Sequence, residues 1–178
     1  MLYNSLLQYL STDFNLICLT DSDHKTDIPV RFIDITAVDL DTWWNKVLIF
    51  DNSISGQGQN LYFDLDTKIV GNVDFLLDEI EHNKLAVVDT PWKPKDIIDK
   101  DPKFYCYGNS SVMGWFGDEH DYLSSLLLSD IFKHTAEHYG DDTFINHYGK
   151  IKYFSNKIQH AEKERMYTRD PRILINYK

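Results

Sequence analysis

The chain has 178 residues, of which 43% are hydrophobic and 14% aromatic, and its formal net charge is −10 at pH 7. This length and composition predict one folded domain with a full core, and they exclude a disordered tail. The acidic excess argues against nucleic acid as the main partner, because phosphate backbones are bound by surplus Lys and Arg. An acidic protein needs local cations or a metal to receive a phosphate group.

Other features of the whole chain predict a cytoplasmic protein. No stretch reaches the roughly 18 apolar residues of a membrane span, and the start of the chain, Met1 to Leu10, has no basic region before its apolar part. Cys18 and Cys106 each lie inside an apolar or aromatic run. This placement is typical of buried free thiols in a reducing compartment.

The spacing of apolar residues predicts short strands that alternate with helices. The predicted helices are Met1 to Leu10, Trp43 to Phe50 with Asp41 or Thr42 as cap, His120 to Tyr139 and Asp141 to Tyr148. The segment Asn72 to Leu77 is predicted to be a short helix or a turn. The predicted strands are Leu16 to Thr20, Val30 to Ile35, Leu61 to Phe63, Leu85 to Val88, Phe104 to Tyr107, Ser111 to Phe116, Ile151 to Phe154 and Ile173 to Tyr177. Pro91 to Pro102 and Asn156 to Arg172 are predicted to be polar connections. Such alternation indicates an α/β domain with a largely parallel sheet.

Aspartates one residue apart form the most informative pattern in the chain. The pairs are Asp21/Asp23, Asp39/Asp41, Asp64/Asp66 and Asp99/Asp101. Only Asp64/Asp66 lie between two apolar segments, and they follow the predicted strand Leu61 to Phe63 directly. A strand that ends in carboxylates places oxygen ligands at the carboxyl edge of a sheet, where open α/β folds bind ligands. The pair therefore predicts a site for Mg²⁺ or Mn²⁺ carrying a diphosphate, and the alternative is a pair of ordinary turn aspartates.

Several segments, taken together, support a family resemblance. In chain order they are Ile17 to Asp21, Trp43 to Phe50, Leu61 to Thr67, Gly71 to Asp74, Asn109 to Met113 and Gly140 to Asp142. Their order and spacing resemble the nucleotide-diphospho-sugar transferases of the GT-A fold, close to the family 8-like glycosyltransferases. The resemblance covers roughly Leu16 to Lys178. It implies a Rossmann-like three-layer sandwich with a mostly parallel central sheet, in one domain over residues 1–178.

The resemblance also implies a reaction and a set of site residues. The reaction is transfer of a sugar from a nucleotide-diphospho-sugar to an acceptor hydroxyl, with Mn²⁺ or Mg²⁺ held by Asp64 and Asp66. The implied donor-binding residues are Asp21, Lys46, Asp64, Asn109, Ser110 and Ser111. Asp141 and Asp142 are the implied catalytic residues, either holding hydroxyls of the donor sugar or acting as the base for the acceptor hydroxyl.

Each of these residues also has an ordinary structural interpretation. Lys46 could be a surface lysine whose stem covers the neighbouring tryptophans. Asn109 to Ser111 could form a turn between two strands. Asp141 and Asp142 could simply begin a helix after Gly140.

Two further groups are candidates for contacts with the metal and the phosphates. The histidines that could supply another metal ligand are His120, His134, His138, His147 and His160. The chain ends in Asn176-Tyr177-Lys178, which looks like the Ser-Tyr-Lys segment of a related group and makes Lys178 a candidate phosphate contact. The alternative for Lys178 is a frayed terminus.

The front of the chain departs from the GT-A pattern, because these enzymes usually have a strand before the helix that Met1 to Leu10 represents. We therefore expect a domain truncated at its N-terminus, and an open sheet edge that favours self-association. The non-enzymatic alternative is a catalytically weak or inactive remnant that still binds a sugar nucleotide.

A haloacid-dehalogenase-like phosphatase is a second enzymatic alternative, because that class also places Asp-x-Asp after a hydrophobic strand. Its motif normally continues with one residue and then Thr or Val, near the amino terminus. Here Thr67 follows Asp66 immediately, Lys68 takes the next position, and the motif lies a third of the way along the chain. These differences disfavour the phosphatase.

Overall fold

The structure, a computed structural model, describes residues 2–91, 93–101, 105–155, 157–161 and 171–175. Its α-helices are α1 (Leu2–Tyr9), α2 (Phe75–Asp78), α3 (Lys95–Lys100), α4 (Asp121–Ser129), α5 (Ile131–Glu137) and α6 (Asp141–Tyr148). A 3-10 helix covers Thr42–Phe50. The strands are β1 (Leu16–Thr20), β2 (Val30–Asp34), β3 (Gln59–Phe63), β4 (Lys68–Ile69), β5 (Leu85–Asp89), β6 (Gly108–Phe116), β7 (Ile151–Tyr153), β8 (Ile158–His160) and β9 (Ile173–Ile175). The fold is therefore mixed α/β, as the alternating pattern predicted.

The central sheet has four strands in the order β3-β6-β5-β7. Strand β6 is antiparallel to both of its neighbours, whereas β7 runs parallel to β5. The prediction of a mostly parallel central sheet is wrong, because this sheet contains both parallel and antiparallel pairs. Apolar periodicity shows which residues face a core, but it carries no information about strand direction. The long connection between β5 and β6, which contains α3, allows β6 to return alongside β5 in the opposite direction.

The segment Leu16 to Thr20 is predicted to belong to the central sheet, but strand β1 lies outside this sheet. It pairs in parallel with β2 in a separate two-stranded sheet. All five residues of β1 are half-buried, whereas the first four residues of β5 are fully buried. A third sheet contains β4, β9 and β8.

Two hydrophobic cores cover opposite faces of the central sheet, because successive strand residues point to opposite sides. The first core contains Leu85, Val87 and Met113, and it also includes the 3-10 helix, α4 and α6. The second core contains Ala86 and Val88 of the same β5, together with residues of α1, α2 and the small sheet β4-β9-β8. The central sheet is thus a middle layer between a helical layer and a mixed layer.

Local elements differ from the predictions in several places. Strand β6 runs without a break through Gly108–Phe116, so residues 109–111 lie in a strand and the predicted turn is wrong. Tyr105 to Tyr107 are not in a strand, and Phe104 lies outside the described residues. The predicted helix over His120 to Tyr139 is two helices, α4 and α5, separated at Asp130. The polar connection predicted over Asn156 to Arg172 contains β8.

Two further predictions concern the cysteines and the possibility of a membrane span. Cys106 is buried and Cys18 is half-buried, and both are free thiols. Across the part of the chain that the structure describes, no helix has the length and hydrophobicity needed to cross a bilayer.

The break at Asp130 provides a first test of the fold. The Asp130 carboxylate accepts a hydrogen bond of 3.0 Å from the backbone N–H of Lys133, so it caps the start of α5. We expect Asp130→Ala to lower the free energy of unfolding by about 1 kcal/mol, measured by urea denaturation. Asp41→Ala is the matched control, because Asp41 occupies the N-cap of the 3-10 helix without a side-chain cap bond. Equal losses in the two variants would contradict the capping role of Asp130.

Candidate functional site

Five polar side chains from separate parts of the sequence meet beside the first core. Lys46 comes from the 3-10 helix, Asp64 follows β3, Ser110 lies in β6, and Asp141 and Asp142 begin α6. We call these five residues the lysine–aspartate cluster. All five were candidates from the sequence, and the fold brings them into contact.

The pairing of β3 with β6 places Asp64 next to Ser110. Phe63 lies opposite Val112 in the antiparallel register, and the backbone N–H of Asp64 donates to the carbonyl of Ser111 at 2.8 Å. Because β6 is antiparallel to both β3 and β5, its first residues meet the carboxyl ends of those two strands. The cluster therefore lies at the carboxyl edge that the sequence predicted for Asp64.

Lys46 is the centre of the cluster. Its Nζ lies 3.0 Å from Oδ1 of Asp64 and 3.1 Å from Oδ2 of Asp141, and it donates a 2.8 Å hydrogen bond to Oγ of Ser110. Its side chain is only 11% exposed. The interpretation of Lys46 as a solvated surface lysine is therefore wrong.

Burial and charge act in opposite directions on this ion pair. Burial alone would lower the pKa of Lys46, but the nearby carboxylates, led by Asp141 and Asp64, raise that pKa above its ordinary value. Burial raises the pKa of Asp141, and Lys46 opposes this change. Lys46 is therefore protonated at neutral pH, and its charge offsets the burial of the Asp141 carboxylate.

Asp142 is more accessible than Asp141, with 27% of its side chain exposed. Its Oδ1 accepts a 2.7 Å hydrogen bond from the backbone N–H of Ser110, and its Oδ2 accepts one of 3.2 Å from the side chain of Asn109. Lys93 Nζ lies 3.8 Å from the same Oδ2. Asp141 and Asp142 thus begin a helix, as the ordinary interpretation held, and they also enter the cluster.

Asn146 fixes the start of β6 against α6. Its side chain accepts from the backbone N–H of Gly108 at 3.0 Å and donates to the Gly108 carbonyl at 3.3 Å. A Cβ at position 108 would lie 2.5 Å from Oδ1 of Asn146 and 2.8 Å from Cγ2 of Val87. Only glycine allows this approach, which holds Asn109 and Ser110 against the first turn of α6.

Asp66, the second residue of the predicted metal pair, is exposed. Its partner Asp64 accepts a 2.7 Å hydrogen bond on Oδ1 from the hydroxyl of Tyr62. Burial is the largest cause that raises the pKa of Tyr62, followed by Asp64, and Asp66 adds to the effect. The Asp66 charge therefore acts on the same hydroxyl, although its carboxylate faces solvent.

The remaining candidates lie elsewhere or are already engaged. Asp21 lines a separate open pocket with Thr20, Ser22, Asp23, His24, Phe32, Asp34 and Thr36. Ser111 is buried, and its backbone N–H donates to the side chain of Asn109. Lys178 lies outside the described residues.

Three members of the site were not singled out from the sequence. Tyr62 lies two residues before Asp64, so strand alternation places both side chains on one face. Asn146 lies four residues after Asp142 on the same helix face, and its side chain donates to the Asp142 carbonyl at 2.8 Å. Lys93 lies in a loop, where no periodic signal could have identified it.

Cys106 lies next to this site but is not a nucleophile at neutral pH. Burial, with a smaller contribution from Asp142, raises the pKa of its thiol to about 12. Its Sγ donates to the Gly108 carbonyl at 3.0 Å. The thiol therefore stays protonated, since the thiolate is the reactive form.

No protein-family model matches the chain, and no curated protein matches it at a significant level.

Proposed function

We propose that the chain binds a nucleotide-diphospho-sugar at the lysine–aspartate cluster and transfers the sugar to an acceptor hydroxyl. The observation that carries this proposal is the network in which Lys46 contacts Asp64, Ser110 and Asp141. Asp142 accepts a hydrogen bond from Ser110, and the exposed Asp66 follows Asp64 by two residues. These residues belong to four of the segments that resemble GT-A transferases, and the resemblance supplies the reaction.

The donor atoms suit a divalent cation that prefers oxygen. Asp64, Asp66, Asp141 and Asp142 bring four carboxylates, whereas Lys46 and Lys93 bring two ammonium groups, so the site keeps an excess of two negative charges. Mg²⁺ or Mn²⁺ matches this excess, and carboxylate oxygen is the ligand that both prefer. Asp64 and Asp66 would hold the cation. When bound, it would neutralise the negative charge that develops on the departing diphosphate.

The protein groups divide into positioning and binding roles. Asp141 is buried and engaged by Lys46, so we assign it to positioning Lys46 and Ser110. Asp142 is partly exposed and, with Asn109, presents acceptors and donors of the kind that bind sugar hydroxyls. This assignment separates two residues that the sequence treated as equivalent.

One observation favours the non-enzymatic alternative, a fold that binds a sugar nucleotide without turnover. Lys46 and Tyr62 already engage both oxygens of Asp64, so part of the charge that a cation would balance is balanced internally. The same contacts disfavour the phosphatase alternative, because the nucleophilic aspartate of such an enzyme needs a free carboxylate oxygen to attack phosphorus. Both oxygens of Asp64 are already engaged. Binding and turnover must therefore be measured separately.

The decisive experiment for the site is the substitution Asp66→Ala. Asp66 is exposed, so we expect its removal to change the free energy of unfolding by less than about 0.5 kcal/mol. We expect Mn²⁺-dependent binding of a nucleoside diphosphate to weaken at least tenfold, because one of the two proposed metal ligands is lost. Titration calorimetry of uridine and guanosine diphosphate, with and without Mn²⁺, measures the effect.

Asp13→Ala is the matched control, because Asp13 is an exposed aspartate far from this motif in sequence. Unchanged Mn²⁺-dependent binding in the Asp66→Ala variant would show that the site lies elsewhere. Binding without hydrolysis or transfer of any nucleotide sugar would favour the non-enzymatic alternative.

A further inference from the structure

We propose that His134, Glu137 and His138 form a second metal site, which binds a borderline transition metal such as Zn²⁺. In the described part of the chain these residues place one ligand atom each within 4.8 Å of the others. This inference is independent of the proposed sugar transfer, since none of the three residues belongs to the lysine–aspartate cluster.

The helix geometry explains why the three side chains meet. His134 and His138 are four residues apart, a spacing that places side chains on the same helix face. The backbone N–H of His138 donates to the His134 carbonyl at 3.0 Å, so the helical turn of α5 extends to His138. Glu137 lies three residues after His134, and this spacing also brings side chains together on the helix surface.

The separations are close to those of a bound ion. His134 Nδ1 lies 4.0 Å from Oε2 of Glu137. Two ligands of a tetrahedral Zn²⁺, each bonded at about 2.1 Å, lie about 3.4 Å apart. Glu137 is 48% exposed, so a small rotation of its side chain is enough to close the difference.

The buried Nδ1 atom of His134 provides independent evidence that this site binds an ion. Its side chain is only 2% exposed, and its Nδ1 has no hydrogen-bond partner among the described residues. An unsatisfied buried polar atom is unfavourable, because it has lost its hydrogen bonds to water without gaining others. A metal bonded to Nδ1 would remove this cost, whereas the 4.0 Å distance to Glu137 is too long for a hydrogen bond.

The surroundings of the histidines suit a bound metal. The His134 ring packs edge-on against Phe144 and Tyr148, with centroid distances of 5.4 and 5.7 Å. The His138 ring contacts the same two aromatic rings. An apolar shell restricts ring motion and solvent access around a metal, and the exposed Glu137 side remains open for ion entry.

The ligand types distinguish this site from the aspartate pair. Two imidazoles and one carboxylate are a donor set that Zn²⁺ favours, whereas Mg²⁺ and Mn²⁺ prefer oxygen ligands alone. The positions differ as well, since Asp141 and Asp142 begin α6 while the histidines contact Phe144 and Tyr148 further along it. Water would fill the remaining coordination position, which is the arrangement of an open site.

The test is metal binding by the tag-free chain after treatment with a chelator. We expect the wild type to bind one equivalent of Zn²⁺, measured by competition with a chromogenic chelator, and to bind Co²⁺ with the visible absorption of a tetrahedral complex. We expect Zn²⁺ to raise the melting temperature of the wild type, because a ligand that binds only the folded state stabilises it by mass action.

Two variants identify the ligands. We expect Glu137→Gln and His138→Asn each to weaken Zn²⁺ binding at least tenfold. Each variant should also lose the visible absorption of the tetrahedral Co²⁺ complex. Glu137 is exposed enough for the first variant to fold normally, so the test does not depend on a buried histidine. His24→Asn, which changes an exposed histidine elsewhere, and Asp66→Ala should both retain wild-type Zn²⁺ binding. Absence of stoichiometric Zn²⁺ binding by the wild type, or wild-type affinity in either ligand variant, would overturn the site.

Discussion

Replacement of Lys46 by methionine should lower the free energy of unfolding by about 3–5 kcal/mol, the cost typical of removing one partner from a buried ion pair. Methionine keeps most of the side-chain volume but removes the ammonium group. The carboxylates of Asp64 and Asp141, which lie 3.0 and 3.1 Å from Nζ of Lys46, would then have no cation between them. Ser110 would also lose the 2.8 Å hydrogen bond to its hydroxyl.

Equilibrium unfolding in urea measures the loss, and Lys84→Met is the matched control because Lys84 is exposed. We expect the control to change stability by less than about 0.5 kcal/mol. The double variant Lys46→Met/Asp141→Asn should recover part of the loss, because one uncompensated charge is removed with the ammonium. A loss below about 1 kcal/mol in Lys46→Met would show that the cluster is not a buried ion pair.

The pH dependence of this variant follows from linkage. Burial and Asp142 raise the pKa of Asp141, and Lys46 opposes them, so the loss of Lys46 should raise that pKa further. A carboxyl group whose pKa is higher in the folded than in the unfolded state favours folding as the pH falls, because the folded state binds more protons. The stability difference between wild type and Lys46→Met should therefore shrink as the pH is lowered from neutral toward the pKa of Asp141.

The same variant tests whether a cation binds next to Asp64. If Asp64 and Asp66 hold Mn²⁺, the ion would replace part of the charge that Lys46 supplies. Mn²⁺ should then stabilise Lys46→Met more than it stabilises the wild type. Equal stabilisation of the two proteins would argue against a cation at Asp64.

The sequence predicted the members of the cluster better than it predicted the sheet that holds them. Asp64 was identified because an apolar strand stops at it, and this local signal was enough to place it at the carboxyl edge of β3. The direction of β6 was not predictable, since antiparallel and parallel neighbours can share the same apolar periodicity. Gly108 lies between two predicted strands, whereas in the structure it opens β6 and allows Asn146 to approach closely.

The histidine site shows a different limit of sequence reasoning. His134 and His138 were noted singly as candidate ligands for the aspartate metal, and their spacing with Glu137 was visible in the sequence. Nothing local showed that Nδ1 of His134 would be buried without a hydrogen-bond partner. That condition arises from packing against Phe144 and Tyr148 of α6, an element that follows α5 in the chain.

Phe144 connects the packing of α6 to both proposed sites, and its truncation to alanine should cost about 3–5 kcal/mol of unfolding free energy. Its side chain is fully buried in the first core. Its ring lies 5.8 Å from Trp44 of the 3-10 helix and 5.4 Å from His134, measured between centroids. Alanine would lose these contacts and leave a cavity between the helix that carries Lys46 and the helix that carries His134.

Phe132→Ala is the matched control, because Phe132 lies in α5 and is 89% exposed. We expect it to change stability by less than about 0.5 kcal/mol. Urea denaturation of both variants measures the difference. An unchanged slope of the unfolding free energy against urea concentration would show that the folded and unfolded states keep their compactness. Where Phe144→Ala remains folded, Zn²⁺ should bind more weakly than to Phe132→Ala, because the cavity frees the His134 ring from its position. Similar stability of the two variants would contradict the packing of α6 described above, and with it the support that α6 gives to both sites.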